Sequence, residues 1–517
     1  MSARKLNMKL KSAYSRITLN RLTAAFFLFS FIHCFSQGII QSLLFTVDAE
    51  YNALVYTIVK PVHTGIPAAN ITFLDGPPGR LQLDRLRLMM CNDIPHGQVT
   101  YPCIEVFNSK AVLSSQNTTV LKNWQNGIDV ASNREDPFNI ARITGVTLTT
   151  HGSPPITLSL QCTQTLVHPE QIFQNFRRED VTLILIQFWL LAISTLAIVN
   201  DSVPHTLAVL ITRGLITGWS IYAVWRTQYY KDIFQEIISK PGTPCSLELF
   251  SPYFQTRTAY EIADLVLSCT ALVTACCLSW TLLRSFKCVG APEKINRINK
   301  FFMALLACLQ LEAFVLVAAM GLWIDVLIKT AIAKISAHST IYLGLFIITT
   351  ILLLPWITMG WYAIQREMKK TMAAFLLVAF LITLGWLIMF YSIVYRWTFV
   401  QWPFLGCFTV ASLILLVASI ALGVICRLNF GKGLAEYLRA EAALASSNFA
   451  PEIFSHDEEK QISPLKEKQT DFEESVATFY IPELHSNATI EERKDLAFVR
   501  PPRNDSPQYN VPFNKPF

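Results

Sequence analysis

The chain has 517 residues, of which 52% are hydrophobic and only 15% are charged, and its formal net charge is +6. Soluble globular proteins usually carry about 25% charged residues, so this composition argues against a soluble fold. The basic residues are scattered beside apolar segments, without a basic folded domain, which argues against a nucleic-acid-binding protein.

The N-terminus combines a basic leader, residues 1–22, with an apolar run, residues 23–47. One interpretation of the run is a signal peptide that is cleaved before Gln37, and the other is an uncleaved signal anchor that spans the membrane. Polar residues in the run weaken the anchor, and the long leader weakens the cleavable signal. Both interpretations put Asp48 and the residues after it outside the cytosol.

Residues 48–180 are predicted to form a compact extracytosolic β domain. Residues 156–163 alternate between apolar and polar with a period of two, which is the pattern of a strand with one buried face. Weaker alternation marks three further candidates: 80–89, 99–107 and 143–149. Turn sequences rich in Gly and Pro separate these segments, so we expect a small antiparallel sandwich.

Seven apolar blocks follow and predict a seven-helix transmembrane bundle, residues 181–426. Their length of roughly 20 residues matches a hydrocarbon layer about 30 Å thick. The blocks are 181–199, 206–225, 259–282, 301–328, 341–362, 372–395 and 404–426. If the β domain is outside, the third and fifth connections between helical blocks are cytosolic, and these carry more basic residues than the short external connections, as the positive-inside rule requires.

The predicted fold class is therefore an α-helical multi-pass membrane protein. A seven-helix bundle follows a β-sandwich-like extracytosolic domain and a signal peptide or signal anchor. Residues 427–517 form a cytosolic tail that begins with a predicted interfacial helix, 434–445. The tail then becomes acidic and rich in Pro, without lasting apolar periodicity, so we expect it to be mostly disordered.

Four cysteines are predicted to lie outside the cytosol: Cys91, Cys103, Cys162 and Cys245. Three belong to the β domain, and because an odd number is awkward in an oxidising compartment, Cys245 of the long connection between the second and third blocks supplies the fourth. Three pairings are possible. Pairing Cys91 with Cys103 and Cys162 with Cys245 needs the least chain crossing, and would tie the β domain to the bundle. The alternative leaves Cys245 as a free thiol.

Two sequons lie in the β domain, at Asn70 and Asn117, on the side of the membrane where glycans are added. They agree with the predicted orientation of the chain. We therefore expect glycosylation at one or both of these asparagines.

Two charged residues are predicted to lie inside the membrane. Counted from the cytosolic ends of their blocks, Arg213 is roughly 11 Å deep and Glu312 roughly 16 Å deep. Unpaired charges at such depths are costly, so we expect the two groups to face each other, directly or through water, as a structural pair or as part of a substrate or ion site. Asp264 and Asp325 lie nearer the outer ends of their blocks, where we expect solvent to reach them.

This sequence lacks the residues that several functional classes require. The last block has no lysine for a retinal Schiff base, and no histidine lies inside the seven blocks to bind an intramembrane zinc ion. No phosphate-binding loop and no Ser-His-Asp arrangement can be identified. The sequence therefore predicts neither an enzyme nor a bound cofactor.

The junction at residues 427–438 reads Arg-Leu-Asn-Phe-Gly-Lys-Gly-Leu-Ala-Glu-Tyr-Leu, and residues 448–452 read Asn-Phe-Ala-Pro-Glu. Both stretches resemble uncharacterised multi-pass membrane proteins of basidiomycete fungi, as does most of the chain. The resemblance implies a fungal source but no molecular function. The layout of a signal, a β domain and seven helices is similar to that of the Golgi-dynamics-domain seven-helix proteins, which act in membrane trafficking and sorting.

Two functions follow as hypotheses. The first is a receptor-like or sorting protein of the plasma membrane or the Golgi and endomembranes, whose outer domain binds a ligand or cargo and whose tail meets cytosolic partners. The second is a transporter or channel that uses Arg213 and Glu312. A continuous polar cavity lined by these two side chains would favour the second.

Overall fold

The structure is a computed structural model that describes residues 14–15, 17–18, 20–63, 71–75, 86–95, 103–111, 118–121, 124–134, 143–150, 152, 154–200, 202–285, 293–330, 332–335 and 339–432. The predicted interfacial helix at 434–445 and the rest of the tail lie outside these residues. So does most of the basic leader.

The described elements begin with a long helix and a strand-rich region. These are α1 (Arg21–His63), β1 (Ile71–Asp75), β2 (Arg87–Cys91), β3 (Cys103–Asn108), β4 (Thr119–Val120), β5 (Ile128–Arg134), β6 (Ile143–Thr150) and β7 (Ile156–Ser159). Helices then dominate: α2 (Leu160–Thr165), α3 (Val167–Val199), α4 (Val203–Phe234), a π-helical turn (Gln235–Ser239), the strand β8 (Leu247–Glu248) and α5 (Ser251–Ser285). The last elements are α6 (Glu293–Lys329), α7 (Ile332–Ile335), α8 (Ser339–Gln365), α9 (Lys369–Met389), α10 (Ile393–Gln401) and α11 (Pro403–Asn429).

Eight helices in the described part of the chain are long and apolar enough to cross a membrane: α1, α3, α4, α5, α6, α8, α9 and α11. The chain is thus an α-helical multi-pass membrane protein. Seven of these helices correspond to the seven apolar blocks, and the eighth is α1, which contains the N-terminal apolar run.

The predicted boundaries of the β domain are wrong at both ends, because residues 48–63 and 160–180 are helical. α1 has 43 residues and is therefore about 65 Å long, well beyond the thickness of a bilayer. At the other end, the alternating pattern of 156–163 stops at Ser159, whose side chain accepts a hydrogen bond from the Cys162 backbone N–H and caps α2.

The strands form two small antiparallel sheets and one parallel pair. The sheets have the strand orders β1-β2-β3 and β5-β6-β7. The third pairing joins β4 to β8, so the connection between α4 and α5 belongs to the strand-rich end of the molecule. We call this end, with its strands, the π-helical turn and the helix ends beside them, the strand end.

Buried apolar side chains form two separate clusters. The bundle core is built from side chains of the membrane-spanning helices, from Phe26 on α1 to Cys426 on α11. The strand-end core combines the last part of α1, the strands, the beginning of α3, the end of α4 and the beginning of α5. Full burial of one large apolar side chain from water contributes about 1.5–3 kcal/mol, so this second core gives the strand end a stability of its own.

Candidate functional site

The two disulfides connect the four cysteines as the least-crossing pairing predicted. Cys91 and Cys103 join β2 to β3, with their Cα atoms 4.0 Å apart. Cys162 and Cys245 join α2 to the segment between α4 and α5, with a Cα–Cα distance of 4.7 Å. The second bridge lies within the strand end, where it ties the connection between α4 and α5 to α2.

The two predicted glycosylation sites, Asn70 and Asn117, lie outside the described residues. Their glycosylation therefore stays a prediction from the sequence.

Arg213 and Glu312, which were expected to face each other directly or through water, form no direct ion pair in the structure. The Arg213 guanidinium lies 5.1 Å from the ring centroid of Phe29 on α1. Glu312 is buried on α6, and neither of its carboxylate oxygens has a hydrogen-bond partner among the described residues. Helix rotation explains the error, because Arg213 faces α1 whereas Glu312 lies near Ser419 of α11. Sequence spacing gives the depth of a residue along a helix, but it does not give the rotation of the helix, which decides the neighbours that the residue faces.

Seven buried ionisable side chains instead meet between the two cores, and we call them the junction cluster. They are Asp48 of α1, Glu179 and Asp180 of α3, Arg226 of α4, and Arg257, Glu261 and Asp264 of α5, each no more than 4% exposed. On α1, α3 and α4, these positions fall between members of the bundle core and members of the strand-end core. The cluster therefore lies where the membrane bundle meets the strand end.

One half of the cluster is a two-pronged ion pair between α3 and α4. Arg226 donates through Nη1 to Oε1 of Glu179 at 2.9 Å, and its Nη2 lies 2.7 Å from Oε2. The indole N–H of Trp402, at the start of α11, donates to the same Oε1 at 2.7 Å. Three helices are thus held by a single carboxylate.

The other half joins α5 to α1. Arg257 pairs with Asp48 through Nη1 and with Glu261 through Nε, the latter at 2.9 Å. The Tyr253 hydroxyl donates to Asp48 at 2.8 Å, and the Thr227 hydroxyl donates to Glu261 at 2.8 Å. These bonds satisfy oxygens that would otherwise be costly to bury.

Phe176 of α3 connects the two halves. The guanidinium of Arg226 lies 4.4 Å from its ring centroid and that of Arg257 lies 4.2 Å from it. A cation over an aromatic face is attracted by the ring quadrupole, most strongly where water is excluded.

Asp264 lies farther along α5, and it is buried rather than solvated as the sequence led us to expect. Its carboxylate accepts hydrogen bonds from the side-chain amides of Gln37 and Gln41 of α1 and from Ser220 of α4, the last at 2.7 Å. No guanidinium or ammonium group within the described residues pairs with it. Asp325, by contrast, is partly exposed and pairs with Arg178 and Lys329.

The junction cluster encloses a small cavity. Asp180, Glu261 and Asp264 line it together with Gln41 and Ser220. The space open to a water molecule is about 20 Å³, which is enough for one water. One oxygen of Asp180 and one of Glu261 have no hydrogen-bond partner within the described residues.

A larger cleft opens at the strand end. It measures about 330 Å³ and is lined by the end of α4, the π-helical turn, β8 and the start of α5. Phe234, Phe250 and Phe254 are among its lining residues but are only 1–2% exposed. Lys231 and Glu248 contribute charges that form no ion pair among the described residues.

Aromatic rings connect this cleft to the junction cluster. The Phe234 and Phe254 rings, which both line the cleft, have centroids 5.5 Å apart. Phe254 is 5.0 Å from Tyr253, whose hydroxyl bonds to Asp48. A change in the cleft can therefore reach the buried ion pairs through directly packed side chains.

The polar residues that weaken the predicted membrane anchor are also the sequence signal for this site. The buried polar residues of α1 recur every three or four positions or at multiples of that spacing, at His33, Gln37, Gln41 and Asp48, which places them on one face of a helix. On α5, Arg257, Glu261, Asp264 and Ser268 follow the same spacing and are also buried. Two matching polar stripes on apolar helices indicate that the stripes face each other.

Among the described residues, no group of three or more His, Cys, Asp or Glu side chains is arranged to hold a metal ion. Comparison with known proteins finds no matching family model, no matching curated protein and no matching solved structure.

Proposed function

We propose that this chain is a receptor-like or sorting protein that binds its ligand or cargo in the extracytosolic cleft at the strand end. The observation that carries the proposal is the cleft itself. Its volume of about 330 Å³ falls within the range of small-molecule sites, and the Cys162–Cys245 bridge restrains the connection between α4 and α5, which supplies part of its wall. A π-helical turn, a feature frequent at functional sites, forms part of that wall.

The orientation of the chain is part of this proposal. The sequons and the basic connections both favour a strand end outside the cytosol. With α1 retained, an even number of spans would put the basic leader and the tail on the same side of the membrane, and the basic residues of the leader favour the cytosol. The plasma membrane and the Golgi or endomembranes are the candidate compartments, and the tail is available to cytosolic partners.

The lining of the cleft favours a ligand with two opposite charges and a small apolar group. Lys231 and Glu248 offer one charge of each sign, whereas the three phenylalanine rings are only 1–2% exposed and offer little apolar contact. A short peptide with free termini and an apolar side chain has this chemistry. Such a ligand would be oriented and held mainly by its charges.

The junction cluster gives ligand binding a route to the membrane helices. Tyr253 links the aromatic wall of the cleft to Asp48 of α1, and Arg257 extends the contact to Glu261. A ligand shifts a conformational equilibrium only by its difference in affinity for the two states. A ligand that binds the cleft more tightly in one of the two states would supply that difference, and the ion pairs between helices would respond.

A transporter or channel is the second candidate. It is favoured by the polar side chains between α1, α4 and α5, where Gln37 donates to both Asp264 and Ser268. The cavity beside Asp264 has room for only about one water, so this arrangement suits proton movement better than that of a larger solute.

A thermal-shift experiment tests the cleft directly. Purified protein is screened against a panel of apolar dipeptides, alongside the variants Gln235→Trp, which fills the cleft, and Asp232→Trp, which adds the same exposed ring outside the cleft lining. A ligand at about 100 times its Kd stabilises the folded state by roughly 2.7 kcal/mol. We expect stabilisation of the wild type and of Asp232→Trp but not of Gln235→Trp. Equal stabilisation of all three proteins would contradict the proposal.

A further inference from the structure

The junction cluster contains more buried negative charge than its arginines neutralise. Five carboxyl groups share the cluster with two guanidinium groups, so three carboxyl groups have no cation of their own. Arg226 is committed to Glu179. Arg257 serves both Asp48 and Glu261, and it leaves Asp180 and Asp264 without an ion pair in the described part of the chain.

The other basic groups of α3 do not compensate. The Arg177 guanidinium lies 5.5 Å from the Phe45 ring centroid. Arg178 pairs with Asp325 of α6 at 2.6 Å. The excess negative charge therefore stays within the cluster, where burying an unneutralised carboxylate is far more costly than binding a proton.

Asp180 shows where one proton is needed. Its carboxyl group lines the same small cavity as Glu179 and Glu261, so further carboxyl groups lie beside it. A proton on Asp180 removes the repulsion between buried like charges. The second oxygen, Oδ2, is buried and has no hydrogen-bond partner among the described residues, and Asp180 lines the cavity.

Asp264 differs in that its hydrogen-bond donors among the described residues are all neutral. The groups facing it from α1 are the amides of Gln37 and Gln41, and the group facing it from α4 is the Ser220 hydroxyl. Amides and hydroxyls can both donate and accept, so they suit either a carboxylate or a protonated carboxyl group. Asp264 lines the same water-sized cavity as Asp180.

We propose that this cavity is a proton-binding site, in which Asp180 and Asp264 carry protons and one enclosed water molecule connects them. Proton transfer between the two needs no other reactant. When one of the two has lost its proton, the other supplies one: a proton leaves the protonated carboxyl group for the water, and the water passes a proton to the carboxylate. The proposal is independent of what binds in the strand-end cleft.

Infrared spectroscopy of the purified full-length chain in lipid nanodiscs tests this proposal, because a protonated carboxyl group has a C=O band that a carboxylate lacks. At neutral pH the wild type should show this band, and alkaline pH should reduce it. Asp180→Asn and Asp264→Asn should each remove roughly one carboxyl group from the band, since Asn mimics the size and neutrality of a protonated Asp. The matched control Asp325→Asn should leave the band unchanged, because Asp325 is ion-paired and partly exposed.

Two results would overturn the proposal. The first is a wild-type spectrum without the protonated-carboxyl band at neutral pH, which requires no variant to fold. The second is a band in the Asp180→Asn, Asp264→Asn double variant that equals the wild-type band, since the protonated group would then lie elsewhere, for example at the buried Glu312.

Discussion

Arg226 of α4 binds Glu179 of α3 with two parallel contacts, 2.9 Å from Nη1 to Oε1 and 2.7 Å from Nη2 to Oε2. This geometry matches a planar guanidinium to a planar carboxylate, which lysine could not do. The pair lies between the bundle core and the strand-end core. It therefore links the half of the molecule that we propose binds a ligand to the half that crosses the membrane.

Glu179→Gln should lower the yield of folded protein, because it leaves the buried Arg226 guanidinium without its counter-charge. Breaking a buried pair in this way typically costs about 3–5 kcal/mol. Monodispersity in gel filtration and the thermal unfolding midpoint measure the effect. The double variant Glu179→Leu, Arg226→Leu should lose less stability than Glu179→Gln, because neither member of the pair is then left as an unpaired charge.

Asp325→Asn is the control for this prediction, since Asp325 is 27% exposed and one of its two partners, Lys329, is 69% exposed and can be solvated. Its effect should stay within about 1 kcal/mol. A Glu179→Gln protein as stable as Asp325→Asn would show that the ion pair does not hold α3 against α4.

The Cys162–Cys245 disulfide should be present in the mature protein and should stabilise it. It closes a loop of 83 residues, for which restriction of the unfolded chain contributes about 3–5 kcal/mol. Cys245→Ser should therefore lower the unfolding midpoint, and Cys269→Ser, which removes an exposed free thiol, should not. Non-reducing peptide mapping that finds Cys245 alkylated in the wild type would rule the bridge out.

The N-terminal helix should be retained rather than cleaved before Gln37. Phe26 is fully buried in the bundle core, and Phe29 lies beneath the Arg213 guanidinium, so removal of residues 1–36 would uncover both sites. An epitope tag at the N-terminus should stay attached to the full-length chain on immunoblots. A fusion with a known cleavable signal serves as the control for tag loss, and a mature protein that begins at Gln37 would disprove retention.

Glycosylation should occur at Asn70, at Asn117 or at both. Enzymatic deglycosylation should increase the gel mobility of the wild type and leave the double variant Asn70→Gln, Asn117→Gln unchanged. An equal shift in the double variant would place the glycans at another sequon and count against the proposed orientation.

The features that were predicted correctly depend on amino-acid composition and on how far apart residues lie along the sequence. Apolar blocks of roughly 20 residues indicated the positions of seven long helices, since only a helix of that length satisfies its backbone inside a bilayer. Cys162 and Cys245 were paired correctly because few external cysteines were available. Residues 51–59 were assigned to the β domain wrongly, although Tyr51, Leu54, Val55 and Ile58 recur at helical spacing and are buried.

Which residues meet in the site depends on helix rotation, and the sequence of a uniformly apolar helix does not reveal its rotation. The depths of Arg213 and Glu312 are similar, but the two residues face different neighbours. Asp264 was assigned to solvent because it lies near a block end, yet Gln41 of α1 donates to it at 2.6 Å. Matching the polar stripe on α1 to the stripe on α5 would have predicted that contact.

The cleft at the strand end should open outside the cytosol, and side-specific labelling of an introduced cysteine tests this most directly. Gln235 lines the cleft and is exposed, and Lys370 is exposed at the beginning of α9, on the predicted cytosolic side. In cells whose membranes are selectively permeabilised, a membrane-impermeant maleimide should modify Gln235→Cys only from the extracytosolic side and Lys370→Cys only from the cytosol, above the wild-type background. Labelling of Gln235→Cys from the cytosol would contradict an extracytosolic binding cleft.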